Sequence, residues 1–150
     1  MTALLELQNE GQLNCPLLTD FELWANATLA AINHTKNAAF TLRIAGAVEV
    51  QSLNMQYRNQ DKPTNVLSFP ADLPEELELP DIGDIVICAE IVEQEAFEQK
   101  KPLKSHWAHM TVHGILHLLG YDHLEDSEAT IMEALETKIL TTLGYTAPYE

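Results

Sequence analysis

The segment HGILHLLGYDH, residues 113–123, contains three histidines with the spacing HxxxHxxxxxH, and it constrains the fold and chemistry of this chain more than any other segment. In a helix, His113 and His117 lie four positions apart on one face, so that both rings can reach one ion. Gly120 predicts the end of this helix, because glycine adopts the left-handed conformation that reverses a chain. His123 can then return to the same point. The segment therefore predicts a metal site on a helix and the turn after it.

The number of histidine ligands indicates the kind of metal site. Tetrahedral zinc takes four ligands, and a site with three protein donors leaves one position for solvent and substrate, as catalytic sites do. Imidazole suits zinc, nickel, copper and iron, so the ligand type leaves the ion open, and one Zn²⁺ per chain is the expectation. His106 and His109 lie on the same predicted helix. His106 is expected in the core, and His109 is either a core residue, a hydrogen-bond donor behind the metal ligands or an outer proton carrier.

One position in the histidine segment excludes a class of metal enzyme. The spacing HxxxHxxGxxH also occurs in the metzincin proteases, whose motif HExxHxxGxxH places a glutamate after the first histidine as the general base. Gly114 occupies that position here, and Met132, the candidate for their methionine turn, lies in a helical pattern instead. Peptide hydrolysis is therefore not expected. Phosphoryl chemistry requires mainly placement and neutralisation of charge, which one metal ion and one arginine can supply.

Arg58 is the candidate arginine, at the end of a predicted helix and before a proline-rich loop. It either stabilises charge in a transition state or is a surface cation that favours the carboxyl end of its helix. Lys62 follows in the loop and is expected to assist it. Asp122, beside the third histidine of the motif, either supports a ligand or caps the turn before the last helix.

The length of 150 residues and the content of 46% hydrophobic and 21% charged residues are typical of one globular domain, here residues 1–150. The net charge of -15 should repel a polyanion, which counts against nucleic acid in general, and DNA is not an expected partner. The charges are nevertheless segregated. Ten acidic residues lie between Asp72 and Glu98, whereas seven of the eight basic residues lie between Lys36 and Lys104. A local basic strip is therefore compatible with the composition.

Sequence features also predict the cellular compartment. The first ten residues contain no basic residue and include Glu6, which is not typical of a secretory signal. Cys15 and Cys88 stand 73 positions apart (88 minus 15) without a CxxC pairing, so two reduced thiols are expected. The longest apolar runs, such as residues 85–89, are too short to span a bilayer. We therefore expect a cytoplasmic protein with no membrane partner.

The spacing of apolar residues predicts an α+β fold in which the last third of the chain is helical. Thr19 and Glu22 form a capping-box signature at the start of the first helix. The apolar face of the last helix is predicted to contain Ile131, Leu135, Ile139 and Leu143. The predicted helices are residues 20–33, 47–58, 90–100, 103–119 and 126–143, and the predicted strands are residues 4–8, 39–44, 65–69 and 83–90.

Three blocks of the sequence together resemble one known family. LNMQYRNQDKPTNVLSFP (residues 53–70), IGDIVIC (82–88) and HWAHMTVHGILHLLGYDH (106–123) are similar to the YbeY family of metal-dependent endoribonucleases. The blocks cover about half the chain, and the histidine block is the most specific. One position departs from the family pattern PTDVLSFP, because Asn65 stands where an aspartate is expected. A hydrogen-bonding or capping role would survive this change, whereas a role that needs negative charge would not.

This resemblance implies a zincin-like fold with a small mixed sheet packed with helices. It implies a metal ion held by His113, His117 and His123, and a functional arginine at Arg58. It further implies single-stranded RNA as substrate, maturation of ribosomal RNA at the small-subunit 3′ end, and ribosome quality control. Two alternatives stay open from the residues alone. These are a metal-dependent hydrolase of a small ester or amide, and a ribosome-associated module with a structural metal.

Overall fold

The centre of the fold is a four-stranded mixed sheet, seen in a computed structural model that describes residues 2–149. The strands are β1 (Ala3–Gln8), β2 (Ala38–Ala45), β3 (Val66–Pro70) and β4 (Asp81–Cys88). Their order across the sheet is β1-β2-β4-β3. β1, β2 and β4 are parallel, and β3 is antiparallel to β4 at one edge. The predicted α+β fold with a small mixed sheet is therefore confirmed.

Within residues 2–149, five helices surround this sheet. They are α1 (Leu18–Ala31), α2 (Ala47–Arg58), α3 (Ala89–Glu98), α4 (Leu103–Leu118) and α5 (Asp126–Thr142), and a short 3₁₀ turn spans Glu75–Leu77. The main core contains side chains of α1, α4 and α5 and one face of the sheet. A smaller apolar cluster on the other face includes Val50 of α2. No helix within residues 2–149 has the length and apolar character needed to cross a bilayer.

Helix α4 is the most buried element, because α1, α3, α5, β3 and β4 all contact it. Gly114 lies where α4 approaches the sheet. A Cβ atom at this position would lie 3.1 Å from both Cδ1 and Cγ2 of Ile85 on β4. Gly114 stands where the metzincin motif has its glutamate. A longer side chain at this position would collide with Ile85 and force α4 away from the sheet.

The predicted start of the first helix was wrong. α1 begins at Leu18, and the residue before it, Leu17, donates its backbone N–H to Oδ2 of Asp20 over 3.1 Å. The Asp20 backbone N–H in turn bonds the Leu17 carbonyl over 2.9 Å. Asp20 therefore provides the carboxylate that the sequence assigned to Glu22, and the backbone carbonyl of Leu17 takes the place of the Thr19 hydroxyl.

The predicted apolar face of the last helix was also partly wrong. Ile131 is 57% exposed, whereas Met132 is buried. Ile139 is buried as predicted, and the remaining buried residues of α5 are Glu136 and Leu140. The face is rotated by about one residue, because a glutamate occupies one of its central positions and interrupts the apolar pattern.

Candidate metal centre and its cleft

The structure brings the three histidines of the motif together. One ligand atom from each of His113, His117 and His123 lies within 4.8 Å of the others. The rings are 5.1 Å apart between His113 and His117, 5.3 Å between His113 and His123, and 5.1 Å between His117 and His123, measured between centroids. Nε2 of His117 is 3.2 Å from Nδ1 of His123. No fourth side chain among residues 2–149 joins this group.

A tight turn after α4 returns His123 to the helix. Gly120 has φ of 99°, a backbone conformation that favours glycine. The Tyr121 N–H bonds the Leu116 carbonyl over 3.0 Å, and the Gly120 N–H bonds the His117 carbonyl over 3.1 Å. These are the two hydrogen bonds of a Schellman motif. The predicted helix end at Gly120 is confirmed.

Asp122 contributes to the same turn. Its Oδ1 accepts a hydrogen bond of 2.7 Å from the backbone N–H of His123. The same oxygen lies 3.9 Å from Nδ1 of His123, which is too long for a hydrogen bond. Of the two roles considered from the sequence, the contact observed is that of a residue that forms the turn.

Glu136 of α5 is the functional residue that the sequence analysis missed. Its side chain is fully buried, and its Oε2 lies 2.9 Å from Nδ1 of His113. Its Oε1 lies 2.8 Å from Nε2 of His109. Because a carboxylate accepts, His113 donates from Nδ1 and keeps Nε2 free for a metal ion, an arrangement common behind histidine ligands. The available signal was its spacing, four residues after Met132 and three before Ile139 on a buried helix face.

Hydrogen bonds from neighbouring residues keep the Glu136 carboxylate ionised. Burial raises the pKa of Glu136, but hydrogen bonds from His109 and His113 outweigh burial and lower the pKa from 4.5 to about 2. Tyr149 also donates its hydroxyl to Oε1 of Glu136. Burial and the Glu136 carboxylate raise the pKa of Tyr149, so its hydroxyl remains a donor. Glu136 is therefore an ionised acceptor that fixes two rings.

The surroundings of His117 favour its neutral form. Burial, followed by the nearby charges of His113 and His123, lowers the pKa of His117. Arg58 contributes a smaller effect in the same direction. A neutral imidazole is the form that binds a metal ion.

The histidines lie at the end of a cleft of about 730 Å³. Its walls include Arg58, Lys62, β3 and the turn after α4. Nη2 of Arg58 donates to the Ser68 carbonyl over 2.6 Å, and the guanidinium carbon lies 5.7 Å from the centre of the Phe69 ring. Arg58 is exposed, and these two contacts hold its guanidinium against β3 at the cleft.

Ser68 and Asn65 have structural contacts at this wall. Oγ of Ser68 donates to the Gly114 carbonyl over 3.2 Å and joins β3 to α4. Oδ1 of Asn65 accepts from the Val66 N–H over 2.7 Å, and its Nδ2 donates to Oε1 and Oε2 of Glu95 over 3.1 and 3.3 Å. Asn65 therefore has a hydrogen-bonding role, and an aspartate in its place would set two carboxylates against each other.

The donor set of this centre fits a divalent metal ion. Three imidazoles converge, one of them is oriented by a buried carboxylate, and the described residues leave one side of the group open to the cleft. Zinc, nickel, copper and iron all accept imidazole ligands, so the structure leaves the identity of the ion open.

Comparison with known proteins places this geometry in a family. The model of the family described as Endoribonuclease YbeY matches residues 6–144. The chain belongs to the YbeY family. YbeY proteins are metal-dependent endoribonucleases of ribosomal RNA processing, so the recognition made from the three sequence blocks is confirmed.

A solved structure shares the fold of this chain. The chain is similar to the solution structure of TM1509 from Thermotoga maritima, with a TM-score of 0.62 and 28% sequence identity. The match covers 91% of this chain and 87% of that protein. The two proteins therefore share the fold over nearly their whole lengths.

Proposed function

We propose that this chain is a single-strand-specific endoribonuclease that uses one Zn²⁺ ion and acts in the cytoplasm as a single domain over residues 1–150. Its proposed substrate is the small-subunit ribosomal RNA near the 3′ end, with a further role in ribosome quality control. The observation that carries the proposal is the group of three histidines, which no fourth ligand from residues 2–149 joins and which opens into a cleft lined by Arg58 and Lys62.

In this proposal, the three histidines bind the ion, and Arg58 and Lys62 interact with the RNA. His113, His117 and His123 would hold the ion, which when bound supplies Lewis-acid activation at the reacting phosphate. Arg58 neutralises charge that develops on the phosphoryl oxygens, because its guanidinium can donate to two oxygens at once. Lys62 attracts the RNA strand to the same wall as a flexible point charge.

Glu136 acts through His113 and not on the substrate. It is fully buried, and its oxygens already accept hydrogen bonds from His109, His113 and Tyr149. It therefore has no free oxygen directed at a substrate and is a positioning residue. Holding the His113 ring in place reduces the reorganisation needed when a metal ion binds.

The proposed preference for single strands follows from shape and charge. A duplex presents phosphates over a broad surface, and the net charge of -15 opposes such a contact. A single strand is narrow enough to enter the cleft and meet its cations there. Proteins that read RNA commonly use such unpaired segments.

Purified protein should be tested on single-stranded RNA, duplex RNA and a small ester, each with and without a chelator. We expect cleavage of single-stranded RNA alone, abolished by the chelator. His113→Ala should lose both metal and cleavage, whereas Arg58→Ala should keep its metal and lose cleavage by about 10²-fold or more. Lys138→Ala removes one exposed cation away from the cleft and should cleave normally. Ester hydrolysis without RNA cleavage, or normal cleavage by Arg58→Ala, would contradict the proposal.

A further inference from the structure

Two buried nitrogen atoms lack a hydrogen-bond partner. They are Nδ1 of His106 and Nδ1 of His109, and within residues 2–149 no other buried side-chain nitrogen or oxygen is unpaired. Both residues are nearly inaccessible, with 3% and 8% of their surface exposed. A buried polar atom without a partner is costly, so each requires an explanation.

The hydrogen bond of Nε2 in each ring shows where the ring carries its hydrogen. Nε2 of His106 lies 3.0 Å from Oε1 of Glu95, and Nε2 of His109 lies 2.8 Å from Oε1 of Glu136. Carboxylates only accept, so both Nε2 atoms carry hydrogen. In a neutral ring Nδ1 is then an acceptor, and burial, the largest influence on His106, lowers its pKa and favours the neutral form. Nδ1 of His106 is therefore an acceptor, and Nδ1 of each ring requires a hydrogen-bond partner.

A small void adjoins both rings. Its volume is about 10 Å³, close to the space that one water molecule needs. The centres of the two rings are 6.1 Å apart. Nζ of Lys101 donates one of its hydrogens to the Pro148 carbonyl over 2.5 Å, and Oγ of Ser105 donates to the Pro102 carbonyl over 2.8 Å. Among residues 2–149, no side chain that lines the void bonds Nδ1 of either ring. Water, which both donates and accepts, is small enough for this void and can bond both nitrogens at once.

We propose that one buried water molecule occupies this void and forms hydrogen bonds with Nδ1 of both His106 and His109. It joins two groups that otherwise end at these rings. One group consists of Asn65, Glu95 and His106, and the other consists of His109, Glu136 and His113. Together they form one polar network that runs behind α4, from the cleft wall to a metal ligand.

This network makes His106 a positioning residue for the metal centre, an inference that rests on the proposed metal site. The water restrains the His109 ring, His109 restrains Glu136, and Glu136 orients His113. Loss of a residue that directly contacts a metal ligand typically weakens metal binding by 10- to 100-fold. A residue two contacts further away should have a smaller effect, about two- to tenfold.

The water is tested directly on the wild-type protein. A crystal structure at high resolution should show one solvent peak within about 3 Å of both Nδ1 atoms. Nitrogen NMR of the imidazoles should show hydrogen on Nε2 and none on Nδ1 in His106. An empty void, or hydrogen on Nδ1 of His106, would overturn the proposal.

The positioning role is tested with His106→Phe, which keeps an aromatic ring and removes both nitrogens. We expect Zn²⁺ affinity, measured by competition with a chelating dye, to fall about two- to tenfold, with an altered imidazole spectrum for His109. His34→Phe makes the same change outside the network and should leave both measurements unchanged. Unchanged Zn²⁺ affinity in a folded His106→Phe protein overturns the positioning role of His106. If that variant does not fold, the wild-type crystal structure and NMR spectra still test whether the water molecule is present. Lack of RNA cleavage by metal-loaded wild type would count against the nuclease function and leave these readouts intact.

Discussion

Glu136 shows how one side chain can prepare the proposed metal site. A carboxylate in a protein interior is costly, and this one is retained with hydrogen bonds from two histidines and a tyrosine. Its hydrogen bond to Nδ1 of His113 selects the tautomer in which Nε2 carries no hydrogen and can bind an ion. The buried carboxylate therefore fixes the orientation of the His113 ring.

Glu136→Gln should weaken Zn²⁺ binding by about 10- to 100-fold, because an amide lacks the charge and one of the two acceptors that hold His109 and His113. The affinity can be measured by competition with a chelating dye. Glu133→Gln, an exposed change on the same helix, is the matched control and should bind Zn²⁺ as the wild type does. Equal affinities for the two variants would show that Glu136 does not position the ligand.

Asn65→Asp should destabilise the protein at neutral pH by about 1 kcal/mol, because it replaces a donor to Glu95 with a second carboxylate. Like charges raise the pKa of such a pair above its unfolded value. The folded state therefore gains stability as the pH falls and one group binds a proton, and it loses stability as the pH rises. Urea unfolding at pH 5 and pH 7.5 measures the difference, with the exposed Asn14→Asp as control. Equal stability loss at both pH values would contradict this account of Asn65.

At the scale of elements, α4 determines the site because it meets the sheet and the other core helices at once. The close contact between Gly114 and Ile85 fixes α4, and with it His113 and His117, against the sheet. The Ser68 hydroxyl bonds the Gly114 carbonyl and ties β3 to the same place. The cleft wall and the metal centre are therefore attached to one helix.

Gly114→Glu tests this helix position and the comparison with metzincins together. The new side chain would press against Ile85, and we expect the free energy of unfolding to fall by about 1–3 kcal/mol or more. The variant should gain no peptidase activity. Chemical unfolding and a casein assay provide the measurements. Wild-type stability in this variant would show that the helix and the sheet are less closely packed than described.

The sequence could predict the elements whose signals are local. The span of α4, its end at Gly120 and the convergence of three histidines follow from helical spacing and glycine chemistry, and the structure agrees. Glu136 could not be assigned to His113 in this way. The two residues are 23 positions apart, and their contact depends on how α5 packs against α4. The same limit applies to the edge position of β3, which depends on long-range strand pairing.

At the scale of the whole molecule, the net charge and the cleft have opposite effects on RNA. In the proposed complex, a charge of -15 repels the strand at a distance, while Arg58 and Lys62 attract it locally. About two phosphates should therefore be neutralised on binding. Such a complex depends on placement in the cleft more than on long-range attraction.

RNA binding should consequently depend weakly on salt. With two phosphates neutralised on a single strand, the slope of log K against log salt concentration should be about -1.4. Fluorescence anisotropy with a labelled single strand, at 50 to 300 mM salt, measures this slope. Lys62→Ala should reduce its magnitude by about half. A slope steeper than about -4 would indicate a broad basic surface and contradict the two-cation cleft.

Metal binding should stabilise the whole fold, because α4, the turn after it and, through Glu136, α5 all contribute to the site. Zn²⁺ at 100 times its dissociation constant should add about 2.7 kcal/mol, which corresponds to a rise in Tm of about 5–10 °C. Differential scanning fluorimetry with and without a chelator measures it. His123→Ala should show little of this rise, and an equal rise in that variant would place the ion elsewhere.

The most direct test of the account is the coordination of the bound ion in purified protein. X-ray absorption at the metal edge should show one ion per chain with three imidazole nitrogens and solvent at the remaining position. An ion held by four protein ligands, or a folded protein that retains no transition metal after exposure to Zn²⁺, would contradict the central claim.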